Sequence, residues 1–266
     1  MRSLFLLLAV LALSACAAGS TAQQTPPWRL VAATDAAGER HVVVTITRAD
    51  QAAQDALAEA LEADHSLSLI AEWPLVSIDV HCLVFRLEPG ADDAAVLTAL
   101  RSDPRIRTAQ PMQRFATAAI AADRDLSKLQ DAHALLMLDR AHTVSTGEGV
   151  RIGVIDTLAD TSHPDLSESV RIVRDFVGEQ ATPTAETHGT AIAGIIGAEA
   201  ASGRGIVGVA PDAEILSLRA CWETTRGMPG ECSTFSLARA LNFAILQEID
   251  VINMSIGGPY DPLLDE

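Results

Sequence analysis

Positive charge is scarce in this chain: 19 Lys and Arg stand against 35 Asp and Glu, a formal net charge of −16 at pH 7. No basic patch can dominate such a surface, which excludes a nucleic-acid partner. Long apolar runs are missing too. The apolar segment Leu4–Leu13 is too short to cross a bilayer as a stable helix. Cysteines number only four, none in CxxC spacing, and the histidines are scattered, so no metal ligand set is indicated. There is no internal repeat and no low-complexity tract. With 48% hydrophobic residues over 266 positions, the chain nevertheless has the means to build a core, as one large domain or two smaller ones.

The first residues read as an address rather than as fold. Arg2 supplies a minimal positive segment, Leu4–Leu13 an apolar one, and small residues then lead to Cys16. Leu13-Ser14-Ala15-Cys16 resembles a bacterial lipobox, in which the cysteine becomes the lipidated first residue. The expectation is a lipoprotein-type signal peptide over 1–15 and a protein exported to the cell envelope. A lipid on Cys16 then holds it to a membrane, on the periplasmic or outer surface. The alternative is an ordinary secretory signal cut near Ala18 or Ala22, and either way the chain is exported. Residues 16–39, small and polar with prolines at 26 and 27, form a tether. In an oxidising compartment Cys221 and Cys232, eleven residues apart across a polar Gly/Pro loop, are expected to pair, with Cys82 left as a buried thiol.

From His41 the pattern becomes regular. His41–Thr47 reads as a strand and Ala52–Leu61 as a helix. Leu67–Leu87 reads as two strands broken around Pro74, Asp92–Leu100 as a second helix and Ile106–Phe115 as a last strand. This β-α-β-β-α-β order predicts a small ferredoxin-like α+β domain over 40–115. Ala116–Ala122 is small and featureless, so 116–124 is taken as a linker and a cleavage site.

The second half, 125–266, alternates buried strands with helices, which implies a doubly wound parallel sheet. A helix or two is expected over Asp125–Gly149, and strands over Val150–Ile155, Arg171–Val177, Ile215–Ala220 and Val251–Ile256. A buried helix is expected over Ala191–Ala201 and another from Thr234 to about Gln247, capped by Ser233. The run ending at Ile155 delivers Asp156 to the carboxyl end of a strand, where such sheets collect their chemistry. Gly203–Gly208 matches GxGxxG, but here a helix precedes the glycines and a strand follows. That is the reverse of a dinucleotide site.

Four blocks then stand in order: Ile155-Asp156-Thr157 with His163-Pro164-Asp165-Leu166, His188-Gly189-Thr190, Gly208-Val-Ala-Pro211, and Asn253-Met-Ser255-Ile256-Gly257-Gly258. Together they resemble the subtilisin-like serine proteases, over about residues 125–258. The resemblance implies that Asp156 orients the histidine and His188 is the general base of an Asp/His/Ser triad. It makes Ser255, Ile256 and Gly257 a substrate-binding strand that pairs with extended peptides, and gives His163 a structural role. It also makes 40–115 a prodomain that assists folding and blocks the cleft, so the implied partners are polypeptide substrates and the chain's own prodomain. Leu158 and Ala191 depart from the usual residues without touching the chemistry. The loop over 198–205 lacks the asparagine-rich run that binds calcium in some members, so no cofactor or metal is expected, with Asp165 at most a calcium ligand. The family's GTSxAxP block, which carries the nucleophile, and its oxyanion asparagine do not occur in residues 1–266. The expectation is therefore an incomplete catalytic domain, inactive by itself. The alternative is a non-catalytic protein that binds or inhibits related proteases through its first half.

Overall fold

The computed structural model describes residues 39–118, 133–178, 186–199 and 205–266. Cys16, the signal segment and most of the tether and linker lie outside them. Among the described residues no helix is long and apolar enough to cross a membrane.

The first half runs β1 (His41–Thr47), α1 (Gln51–His65), β2 (Leu67–Leu75), β3 (Val80–Leu87), α2 (Asp93–Ser102) and β4 (Thr108–Pro111). Its antiparallel sheet has the order β2-β3-β1-β4. Both helices begin on aspartates. Asp50 accepts from Ala53 N at 2.9 Å, and Asp92 accepts from Ala94 N and Ala95 N at 3.0 and 3.3 Å. The valines of β1 do not alternate with polar residues because both faces of the sheet are covered. Val42, Val44 and Ile46 pack with Leu61, Phe85 and Leu100 on the helix side, while Val43 joins Val80, Cys82 and Val84 on the other.

Two expected boundaries shift. Pro74 does not break the chain: it sits inside β2, an edge strand, where a missing N–H is tolerated. The turn comes later, through a 3-10 turn at Val76–Ile78 and Asp79 in the left-handed region. The strand expected over Ile106–Phe115 is two strands. β4 completes the first sheet, and β5 (Arg114–Thr117) leaves it for another. Ala116 and Thr117, read as linker, belong to β5.

The second half continues with α3 (Leu138–Ala141), β6 (Arg151–Asp156), β7 (Val170–Asp175), α4 (Thr187–Gly197), β8 (Glu214–Arg219), β9 (Cys221–Trp222), β10 (Glu231–Ser233), α5 (Thr234–Leu246), β11 (Val251–Asn253) and β12 (Ile256–Gly257). Strands β11-β6-β8-β7 form a parallel sheet. The strand expected over Val251–Ile256 splits, because Ile256 turns out of this sheet and into a small antiparallel one of order β12-β5-β10-β9. That third sheet therefore borrows its second strand from the first half of the chain.

The two halves also meet face to face. The outer face of the first sheet packs Val43, Ile70, Leu75 and Val84 against Phe235, Ala238 and Leu263. At its margin Ser77 donates through N and Oγ to Asn242 Oδ1, both at 2.9 Å, and Gln110 Nε2 donates to Asp261 Oδ1 at 2.8 Å. The Arg239 guanidinium lies 4.0 Å from the Trp73 ring centroid, and burial draws it down to about 10.

Candidate active site

β6 and β8 run in register with Asp156 beside Arg219, both at the carboxyl end of the parallel sheet. α4 starts close by and presents His188 in its first turn. His188 Nδ1 donates to Asp156 Oδ1 at 2.7 Å, and Thr157 N donates to the same oxygen at 2.7 Å. The carboxylate is fully buried and the His188 side chain is only 4% exposed. An ionised carboxylate only accepts, so Nδ1 is the donor here, and in the neutral imidazole Nε2 then holds the lone pair. Nε2 is buried and has no hydrogen-bond partner among the described residues. This arrangement suits a general base: a histidine oriented by an acid on one nitrogen and open to take a proton on the other.

The glycine after His188 permits the approach. A Cβ on Gly189 would lie 2.1 Å from the Thr157 carbonyl oxygen, and Gly189 N donates to Thr157 Oγ1 at 2.8 Å. The helix thus rests directly on the backbone that follows Asp156, and no larger residue fits between them.

Three charged residues that the sequence did not single out complete the frame. Glu186, 7% exposed, accepts from Leu158 N (2.7 Å), Glu223 N (2.8 Å) and the Arg219 guanidinium (2.9 and 3.2 Å). Arg219 also donates to Asp175 at 3.0 Å. Burial works to lower the Arg219 pKa, but the bonds to Glu186 and Asp175 outweigh it and hold the group above its usual range. Removing one partner of such a buried pair would cost about 3–5 kcal/mol. The available signal was an arginine closing the apolar strand Glu214–Arg219, since a charge there needs a buried partner.

Beside this pair runs a groove walled by β10 and β12, and β5 lies in it. Ala116 is opposite Glu231 on one side and Gly257 on the other; Phe115 is opposite Cys232, and Thr117 is opposite Ile256. Thr117 N donates to Gly230 O at 2.8 Å, and Ala118 N donates to Ser255 O at 2.9 Å. Ser255, Ile256 and Gly257 are thus brought against an extended strand. The Ser255 hydroxyl donates to Asn253 Oδ1 at 3.2 Å. Gly230 links groove and acid, because a Cβ there would fall 2.5 Å from Thr157 Cγ2 and 3.3 Å from Thr117 Cγ2.

Cys221 and Cys232 are joined by a disulfide, and Cys82 is buried with its thiol pushed up to about 12 by burial. Ser233 caps α5 in a reciprocal capping box with Ser236. His163 Nδ1 accepts from Asp165 N at 3.2 Å, and Leu166 is buried in the core. Among the described residues no group of three or more His, Cys, Asp or Glu is placed to hold a metal ion.

The Subtilase family model (Peptidase_S8) matches residues 147–266. The "Major intracellular serine protease" of Bacillus subtilis (strain 168) is 36% identical over 120 residues, 43% of this chain and 36% of that protein. The "Alkaline protease" of Alkalihalobacillus alcalophilus is 31% identical over 217 residues, 79% of this chain and 52% of that protein. The chain therefore spans between about a third and about half the length of these relatives. Among solved structures, fervidolysin from Fervidobacterium pennivorans, a keratinolytic enzyme related to subtilisin, superposes with a TM-score of 0.58. Identity is 20%, over 89% of this chain and 39% of that one. The epidermin leader peptide processing protease of Staphylococcus aureus gives 0.54 at 15% identity, over 82% of this chain and 50% of that one. At those identities the superpositions establish the fold, a subtilisin-like α/β architecture. Residues 147–266 thus match the subtilase family, the subtilisin-like serine proteases, in sequence.

Proposed function

We propose that this chain carries the acid and base of a subtilisin-type endopeptidase, together with the prodomain that blocks its cleft. The observation that carries the reading is the buried Asp156–His188 pair with the unpartnered His188 Nε2. In this role Nε2 takes the proton of a serine hydroxyl as that oxygen attacks a peptide carbonyl, and Asp156 stabilises the imidazolium. General-base assistance of this kind is worth about 10²–10⁴ in rate. Substrate lies as an added strand between β10 and β12, held by the backbone of Ser255, Ile256 and Gly257, which suits a protease tolerant of sequence.

In the same reading residues 40–117 are the prodomain, and β5 fills the groove in the manner of a peptide. That occupancy also favours a second activity, inhibition of related proteases by the first half of the chain. Export and lipid attachment at Cys16 belong to the proposal as well. They rest on the Leu13-Ser14-Ala15-Cys16 motif.

The nucleophile block GTSxAxP is absent from residues 1–266, so the test compares two forms. Residues 17–266 are assayed alone and joined to a subtilase C-terminal half bearing that block, with a fluorophosphonate probe and a casein digest. The joined form should label and digest, and Asp156→Asn or His188→Ala should abolish both; the short form should do neither. A folded joined form that stays unlabelled would overturn the reading. Labelling of the short form, lost on His188→Ala, would make a serine such as Ser255 the nucleophile.

A further inference from the structure

We propose that Glu223 is a positioning residue for His188: from a disulfide-closed loop it caps the helix that carries the base. The inference rests on the reading of Asp156 and His188 given above.

A helix leaves its first N–H groups without partners, and the residue before it ordinarily supplies an oxygen. α4 is preceded by Glu186, whose side chain makes no capping bond to its own helix. That carboxylate is taken up by Arg219, Leu158 N and Glu223 N. The capping oxygen comes from elsewhere in the chain. Glu223 Oε1 accepts from Thr187 N at 2.6 Å and from His188 N at 3.0 Å. The exchange is reciprocal, because Glu186 Oε1 accepts from Glu223 N at 2.8 Å. It is a capping box made between two segments that lie 37 residues apart rather than within one turn. A carboxylate is also favoured at this end of the helix by its dipole.

The loop that presents Glu223 is fixed at both ends and in the middle. Cys221 in β9 and Cys232 in β10 are bonded to each other, and Glu223 Oε2 accepts from Gly227 N at 2.8 Å within the loop. Cys232 pairs directly with Phe115 of β5, so one closed loop lines the segment where β5 lies and also caps the base-bearing helix. Asp156 is held by the parallel sheet through Ala220 N, which donates to the Asp156 carbonyl at 2.9 Å. Fraying the first turn of α4 would therefore move the imidazole away from a fixed carboxylate. The cap keeps them together.

The test uses the 1–266 polypeptide, ¹⁵N-labelled, as wild type, Glu223→Ala, Glu223→Gln and Asp156→Asn. Amide exchange is followed at Thr187 and His188, and at Leu216 and Leu218 of β8 as an internal reference. The proton on His188 Nδ1 is followed by its own low-field signal. Glu223→Ala is expected to speed exchange at Thr187 and His188 by about tenfold to a hundredfold, the range that follows from losing charge-assisted bonds. It should also weaken the Nδ1 signal and leave β8 unchanged. Glu223→Gln keeps an oxygen acceptor and should restore most of the protection. Unchanged exchange at Thr187 and His188 in Glu223→Ala would overturn the proposal. So would equal acceleration in β8, the mark of a merely structural role, or a Gln variant no better than Ala. Asp156→Asn separates the two readings: if the Nδ1 signal survives it, the acid–base assignment fails, whatever Glu223 does.

Discussion

Gly189→Ala sets helix propensity against packing, and the structure says which wins. In a helix interior alanine is favoured over glycine by about 1 kcal/mol, so propensity alone predicts a more stable protein. The new Cβ, however, would lie 2.1 Å from the Thr157 carbonyl oxygen and 2.7 Å from its carbon, both backbone atoms that cannot rotate aside. Relieving that overlap costs about 1–3 kcal/mol. Displacing the helix also weakens the Gly189 N to Thr157 Oγ1 bond, worth about 0.5–1.5 kcal/mol. The net expectation is destabilisation by about 1–3 kcal/mol. Gly194, in the same helix, is the control: a Cβ there meets only Ile206 Cδ1 at 3.7 Å, an ordinary contact. Gly194→Ala should stabilise by up to about 1 kcal/mol, since nothing opposes the propensity gain. Urea unfolding followed by circular dichroism, with unchanged slope, should separate the two variants by about 1–4 kcal/mol, Gly189→Ala below wild type and Gly194→Ala at or above it. A Gly189→Ala protein as stable as Gly194→Ala would refute the claim that α4 is pressed against the backbone following Asp156.

Replacing both Cys221 and Cys232 by alanine should lower stability by about 3 kcal/mol, the loop-closure value for a ring of this size, read from the shift in urea midpoint. Cys82, whose thiol burial pushes up to about 12, should resist iodoacetamide at pH 8 until the protein unfolds. The sign of its pH effect follows. Near pH 9 and above the unfolded thiol loses its proton while the folded one keeps it, so this group lowers stability as pH rises from about 9 toward about 12. Cys82→Ala should remove that part of the alkaline loss, and an unchanged pH dependence would count against it.

Regular elements were legible where their own residues decide them. The β-branched run of β1, Asp92 at the start of α2, and the Ser233 cap of α5 all announce themselves locally. So did the strand that ends in Asp156 and the helix that opens around His188. What escaped was decided at long range. β5 and β12 have four residues and two, too few to show any period, and each exists because the groove holds them side by side. Pro74 looked like a break because nothing local says that β2 is an edge. Glu186, Arg219 and Glu223 escaped because, read singly, charges near strand and helix ends are commonplace. Only the fold brings Arg219 and Glu223 within hydrogen-bond reach of Glu186.

The central claim is that Asp156 sets His188 up as a base, and the tautomer of His188 tests it most directly. The measurement is ¹⁵N NMR of the histidine ring in the neutral form of the 1–266 polypeptide. The account predicts the proton on Nδ1, facing Asp156 Oδ1, with Nε2 bare, and loss of that preference in Asp156→Asn. A neutral His188 carrying its proton on Nε2, or a tautomer indifferent to Asp156→Asn, would contradict it.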